Sequence, residues 1–332
     1  MGDRSSSNNK PPGHILGRGF QLAKLTAKLG ARAAGHSLEK LLKSGNSPEN
    51  LKKYLSLQVA SLAKDLGQLK GSVMKAGQLL STYGEHFLPP EVNDILKSLQ
   101  HQAPPVEWSE IRKVLEKELG PQRLGLLEID PKPFAAASLG QVHKARVLAS
   151  GENLALKVQY PGVDRAVETD LTFLKMIFQL TDLFPSGFRS QSVMEEIKKM
   201  LMQELDYQQE AHQTKWFYEK AKSFDRIDVP KVYDEFCSPV ILATEFIDSL
   251  PAGDPQILHW PQHLRNDIAQ LFLHVYMSEL FQWGRVQTDP HFGNYRLRLD
   301  DKGQARLVLL DFGAVRAISP EFQSSYQTMV RG

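Results

Sequence analysis

From Leu51 the apolar residues fall at Leu51, Leu55, Val59, Leu62, Leu66, Leu69, Val73, Ala76 and Leu80. Steps of three and four predict one amphipathic helix of about eight turns. Towards the C-terminus the pattern shortens to strand-like runs. Tyr295–Leu299 and Arg306–Leu310 are joined by Asp300-Asp301-Lys302-Gly303, a polar turn with glycine where a hairpin needs it. Leu154-Ala-Leu-Lys157-Val-Gln predicts another strand, and Val240–Thr244 one more. Helices are expected over about Val163–Phe184, Gln191–Tyr218 and Asn266–Trp283, with Pro185-Ser-Gly187 linking the first two. A short helix near Glu91–Leu99 sits between Pro89-Pro90 and Pro104-Pro105, and another opens at Trp108-Ser109-Glu110 and stops at Gly120-Pro121. No apolar run reaches the roughly 18 residues of a membrane-spanning helix.

Composition narrows the reading without deciding it. A chain of 332 residues with 42% hydrophobic content buries one large or two modest cores. The single Cys237 permits no internal disulfide and fits a reducing compartment. The net charge is +2, but ten basic residues face three acidic ones up to Lys53, so that segment carries +7 and the remainder −5. With Leu16, Phe20, Leu22, Leu25 and Leu29, the basic start suits an anionic membrane surface. A solvated basic helix beside a Ser/Asn-rich tail explains it equally well. The start lacks the Arg-rich amphipathic pattern of a transit peptide.

Chemistry enters at the predicted hairpin, whose two ends carry Asp289-Pro-His-Phe-Gly-Asn294 and Leu310-Asp311-Phe-Gly313. Singly, an Asp-Pro reads as a turn and an Asp-Phe-Gly as a strand end. Together they supply a carboxylate near a phosphoryl acceptor, and an amide and a second carboxylate for a Mg²⁺ that bridges phosphates. Such a site also needs a cation on the phosphates. Lys157 stands inside an apolar strand, after the small-residue segment Phe134–His143, where backbone can approach a ligand closely. Glu204, Asp206 and Glu210 are the acidic candidates to hold that cation; Asp206 and Glu210 are four apart and share a helix face on this reading. ATP and Mg²⁺ are the ligands these residues predict. Gln78 lies three residues after Lys75 on the long helix, with Gly77 between them.

The ordered set Lys75-Ala-Gly-Gln78, Ala135–His143, Ala155–Gly162, Glu204–Glu210, Thr288–Asn294 and Leu310–Gly313 resembles the UbiB/AarF family of atypical kinases, linked to ubiquinone biosynthesis. The resemblance spans about Leu51 to Ala317. It implies an α+β, protein-kinase-like two-lobed fold with a helical N-terminal extension. It implies that Lys157 contacts phosphates and pairs with Glu210, that Asp311 and Asn294 hold Mg²⁺, and that Asp289 is catalytic. By the same resemblance Ala135, Ala136, Ala137 and Ser138 replace a glycine-rich phosphate loop, and adenine meets the backbone around Glu245 and Ile247, where the family has its inter-lobe hinge. Lys75 and Gln78 belong to a regulatory helix that folds over the substrate side, its lysine paired with Glu204 of the Glu204-x-Asp206 motif.

Departures from ordinary protein kinases shape the expected reaction. Gln287-Thr288-Asp289 stands for His-Arg-Asp, and His291 for the catalytic-loop lysine. A neutral imidazole compensates transferred phosphate poorly, which ranks ATP hydrolysis or transfer to a small or lipid-like acceptor above protein phosphorylation. A non-catalytic nucleotide-binding regulator is the alternative class. Four segments are expected: basic residues 1–50, a helical extension 51–125, a kinase-like N-lobe 126–247 with inserted helices, and a C-lobe 248–332 that reads as cut short, leaving apolar surface on Ile268–Phe281 exposed. Expected partners are ATP, quinone-pathway proteins or lipid intermediates, and an anionic membrane surface, with no nucleic acid. The expected location is cytoplasmic or peripheral on an inner membrane, mitochondrial in a eukaryote.

Overall fold

The computed structural model describes residues 75–77, 79–81, 105–181, 190–289 and 291–331. Gln78, most of the long stripe from Leu51, the basic N-terminal segment and the helix expected near Glu91–Leu99 lie outside the described residues. The chain divides into two compact units. The first takes residues 1–114, 135–141 and 159–202; the second takes 115–134, 142–158 and 203–332.

In the first unit residues 75–77 and 79–81 are helical, with Lys75, Ala76, Leu80 and Ser81 buried. Helix α1 (Trp108–Leu124), of which residues 108–114 belong to this unit and 115–124 to the second, opens where the sequence predicts and breaks at Gly120, whose φ of 69° only glycine adopts readily. Helix α2 (Val163–Thr181) buries Val163, Val167, Leu171 and Leu174, and α3 (Ser190–Glu204) buries Met194, Ile197 and Leu201. Both stripes follow helical spacing.

The second unit carries the sheets. Strands β1 (Leu127–Ala136), β2 (Gly140–Val147), β3 (Asn153–Gln159) and β5 (Ile241–Glu245) form one sheet in the order β1-β2-β3-β5. In β3, Leu154, Leu156 and Val158 point to the core at 0% exposure while Ala155 and Lys157 take the other face. The two-residue period of a strand thus places the lysine opposite the apolar face. A second sheet runs β4-β9-β8-β6, with β4 (Ile227–Asp228), β6 (Leu250–Pro251), β8 (Tyr295–Leu299) and β9 (Ala305–Leu309). The β8–β9 pair is the predicted hairpin, antiparallel in the register Tyr295↔Leu309, and Gly303 takes φ 73° in its turn.

The helix expected over Gln191–Tyr218 is two helices. The chain leaves α3 after Glu204 and restarts as α4 (Tyr207–Ala221), because Asp206 takes non-helical dihedrals and its carboxylate accepts from Gln209 N–H as an N-cap. Satisfying a donor at a helix start favours a new helix over continuation. Asp206 therefore shares no helix face with Glu210. The helix expected over Asn266–Trp283 begins earlier, as α5 (Gln262–Ser278), and widens into a π turn at Glu279–Trp283 before β7 (Arg285–Gln287). Leu264, Ile268, Leu271 and Val275 of α5 pack on Phe217, Leu307, Leu309 and Phe312. Its other side exposes Leu273, Tyr276 and Met277, the apolar surface expected there. Strand β10 (Val315–Ala317) pairs antiparallel with β7, and α6 (Pro320–Arg331) follows.

Candidate active site

Strand β3 delivers Lys157 and α4 delivers Glu210 to the same point. The ammonium donates to both Glu210 oxygens, at 2.7 and 2.8 Å, and to Asp311 Oδ2 at 3.3 Å. Glu210 is 2% exposed, and its backbone N–H donates to Asp206 O at 3.0 Å, which ties it to the start of α4. Burial alone would lower the Lys157 pKa, but Asp311 and Glu210 outweigh it and hold the lysine well above its ordinary value. Burial, reinforced by Asp311, pushes the Glu210 carboxyl up against the pull of Lys157. One cation thus serves two carboxylates. The face of Tyr207 lies 5.0 Å from the ammonium.

Asp311 follows β9. Its Oδ1 accepts from Gly313 N–H at 2.9 Å, and a side chain at Gly313 would meet that oxygen and the Glu210 carboxylate at 3.3 and 3.5 Å. Phe312 is fully buried and stacks on Phe217 of α4, 4.5 Å between ring centroids. Its anchoring to α4 fixes the acidic residue beside Glu210.

At the other end of the hairpin, Asp289, His291 and Asn294 form a tight loop. Asn294 Nδ2 donates to Asp289 O at 2.9 Å, His291 N–H donates to the same carbonyl at 2.8 Å, and Leu310 N–H donates to Asn294 O at 3.1 Å. The last bond joins the loop to the residue before Asp311. His291 Nδ1 accepts from Gly293 N–H at 3.0 Å.

The segment after β5 continues its ladder by one residue, Phe246 N–H donating to Asn153 O at 2.9 Å. Glu245 N–H donates to Lys231 O at 2.8 Å, and Ile247 N–H has no hydrogen-bond partner among the described residues. Phe134 meets Phe246 edge to face at 5.2 Å, Lys144 Nζ lies 4.5 and 4.2 Å from those two rings, and the Arg296 guanidinium lies 5.8 Å from Phe134. A cavity of about 470 Å³ borders Glu245–Asp248 from the side of Asp228, Arg298 and Arg306. It touches none of Lys157, Asp289, Asn294 or Asp311.

Ala135 and Ala136 end β1 exposed, and Ala137 N–H turns back to Gly140 O at 2.9 Å, with Ser138 exposed in that turn. Glu204 ends α3. Lys75 is buried in its helix. The structure therefore brings Lys157, Glu210 and Asp311 together, joins Asn294 to Asp289, and gives Asp206 a capping role.

Sequence reading passed over Glu279, the side chain of Gln287, Thr288 and Tyr295. Glu279 is buried and accepts from Gln287 N–H at 3.1 Å; burial pushes its carboxyl up to about 7, and that hydrogen bond opposes the rise. Gln287 Nε2 donates to Asp311 O, and Tyr295 Oη donates to Gln287 Oε1 at 3.0 Å. Adjacency of Gln287-Thr288 to Asp289 was the one available signal.

Residues 98–332 match the ABC1 atypical kinase-like domain. The chain is 34% identical over 309 residues to "Atypical kinase coq-8, mitochondrial" of Caenorhabditis elegans, which covers 92% of this chain and 40% of that protein. It is 30% identical over 333 residues to "Atypical kinase COQ8, mitochondrial" of Saccharomyces cerevisiae, covering 99% and 64%. The chain thus spans about two fifths to two thirds of the length of these relatives. A solved structure titled as the complex of Rv3197 with erythromycin from Mycobacterium tuberculosis superposes with a TM-score of 0.54 at 30% identity, over 82% of this chain and 68% of that one.

Proposed function

Because the chain belongs to the ABC1 atypical kinase-like family, we propose that it binds ATP with Mg²⁺ and hydrolyses it or transfers its terminal phosphoryl group. The observation that carries this reading is the convergence of Glu210 and Asp311 on the Lys157 ammonium. Phosphate oxygens suit the lysine, and a divalent cation suits the part-exposed Asp311 carboxylate.

The residues fit magnesium. Asp311 offers a part-exposed carboxylate, and Asn294 offers its amide oxygen, since its Nδ2 is spent on Asp289 O. Hard oxygen donors in small number, completed by phosphates and water, are what Mg²⁺ takes. Bound there, the ion would neutralise charge on the phosphates. Lys157 orients those phosphates and Glu210 holds the lysine in place. Asp289 accepts the proton of the attacking hydroxyl or water, in a loop whose shape Asn294 and His291 fix. Ala135, Ala136, Ala137 and Ser138 pass the backbone along the phosphates. The Glu245 carbonyl and Ile247 N–H meet the base edge, in keeping with an Ile247 N–H that has no hydrogen-bond partner among the described residues. Lys75, Gln78, Glu204 and Asp206 restrain access.

The acceptor is small or lipid-like and the setting is lipid-quinone (ubiquinone) biosynthesis at a membrane surface, mitochondrial in a eukaryote. His291 supports that ranking over protein phosphorylation: an imidazole stands in the loop where protein kinases hold a lysine ammonium. Single-turnover ATP hydrolysis, with and without anionic liposomes, tests the reading. Expected is metal-dependent turnover that Asp289→Asn lowers by about two orders of magnitude or more while nucleotide affinity stays within a few fold. Nucleotide binding without turnover under any of these conditions would leave a non-catalytic regulator.

A further inference from the structure

Two consecutive residues ahead of Asp289 grip the Asp311-Phe-Gly segment at both ends. Gln287 Nε2 donates to Asp311 O, while Thr288 N–H and Oγ1 both donate to Ala314 O, at 2.8 and 2.9 Å. Between those anchors Phe312 is buried against Phe217. The β7–β10 register, Val315↔Gln287, extends the grip by a strand pair.

Gln287 is itself held on three sides. Its backbone N–H donates to Glu279 Oε2 at 3.1 Å, its Oε1 accepts from Tyr295 Oη at 3.0 Å, and the residue is 6% exposed. An amide with its carbonyl and one N–H engaged, in a buried site, cannot rotate without leaving partners unpaired. The π turn at Glu279–Trp283 contributes to this arrangement, because the extra residue in the ring re-aims Glu279 inward towards β7. Tyr295, in turn, follows Asn294 directly. One network therefore touches the residue before the Asp289 loop, the residue after Asn294 and the backbone of Asp311.

We propose that Gln287 and Thr288 are positioning residues that form a two-point clamp on the Asp311-Phe-Gly segment, braced by Glu279 and Tyr295, and that they hold Asp311 in its metal-binding place instead of letting the segment switch. The inference rests on the Mg-ATP reading above for its consequence, but the clamp itself is made by this chain's own residues. It fixes the metal-holding carboxylate relative to the catalytic one, which is how preorganisation lowers the cost of binding.

The test uses the whole 332-residue chain with volume-conserving variants: Gln287→Met, which loses both side-chain hydrogen bonds, Tyr295→Phe, which loses one, and Glu279→Gln, which keeps an acceptor for Gln287 N–H. Hydrogen exchange over residues 308–317 of the ligand-free protein reads the clamp directly. Calorimetry with ATP, with and without Mg²⁺, reads its consequence. Gln287→Met is expected to speed exchange in that segment about tenfold and to lower Mg-ATP affinity about tenfold while metal-free ATP binds as before. Tyr295→Phe is expected to do both to a smaller degree, and Glu279→Gln to do neither. Unchanged exchange in Gln287→Met, with melting equal to wild type, overturns the clamp. Faster exchange in a chain that shows no metal-dependent ATP binding keeps the clamp and overturns the nucleotide reading instead.

Discussion

Two charge clusters in the second unit solve opposite problems. Around Asp228, two guanidiniums serve one carboxylate: Arg298 Nε at 2.8 Å, and Arg306 through Nε at 2.9 Å and a terminal nitrogen at 2.6 Å. Burial alone would raise the Asp228 pKa, but the arginine hydrogen bonds outweigh it and hold it below the usual carboxylate range. Around Lys157, two carboxylates serve one ammonium, and burial pushes Glu210 up. The first cluster is saturated with donors and complete as it stands. The second sets the part-exposed Asp311 carboxylate beside a buried lysine–glutamate pair. The first ties strands together; the second, with its perturbed Lys157 and Glu210, is the candidate site.

The sharpest way to break the contrast is Asp311→Asn. The amide keeps an acceptor for Gly313 N–H, so the fold should hold its melting temperature closely. Metal-dependent nucleotide affinity should fall by more than about a hundredfold, since the carboxylate proposed to bind the ion is gone. Calorimetry with Mg-ATP measures it, and undiminished affinity would place the metal elsewhere.

Asp228→Ala should show the reverse signature. Removing the shared acceptor leaves two partly buried guanidiniums facing each other, at a cost of about 2 kcal/mol after allowing for the solvent that Arg298 still meets. Denaturant unfolding should show that loss, with Mg-ATP affinity changed less than about twofold. A comparable loss of affinity would mean that the Asp228 side of the chain supports the nucleotide too.

The two clusters were also unequally legible in the sequence. Lys157 announced itself as a cation within an apolar strand, and Asp289 and Asp311 through the hairpin that separates them. Glu210 required the family resemblance, because its partner is 53 residues away and three carboxylates competed for the role. The Asp228 cluster gave no signal at all. Arg298 and Arg306 read as the polar face of a hairpin, and their partner lies 70 and 78 residues earlier on a two-residue strand. The break before α4 escaped for a different reason: a carboxylate on a helix face and a carboxylate capping a helix have the same sequence neighbours, and only the backbone at Asp206 distinguishes them. Glu279 was hidden likewise, since a helical wheel assigns no direction to a residue that enters a π turn.

Glu279 supplies the smallest and most specific of these predictions. Its folded-state pKa, about 7, lies above that of an exposed glutamate, so the folded chain holds this proton more tightly than the unfolded chain. Its contribution to stability is therefore complete below about pH 4.5, declines as the pH rises towards 7, and is absent above it. Asp228, held low by its arginines, follows the opposite course. Glu279→Gln keeps an acceptor for Gln287 N–H and removes the proton, so its stability relative to wild type should rise across the same window by on the order of 1–2 kcal/mol. Chemical denaturation of both proteins at pH 5 and pH 8 measures the difference, and because other titrations are common to the pair they cancel. A constant difference between the two pH values would mean that Glu279 is ionised in the folded chain and that its carboxylate, not its carboxylic acid, braces Gln287.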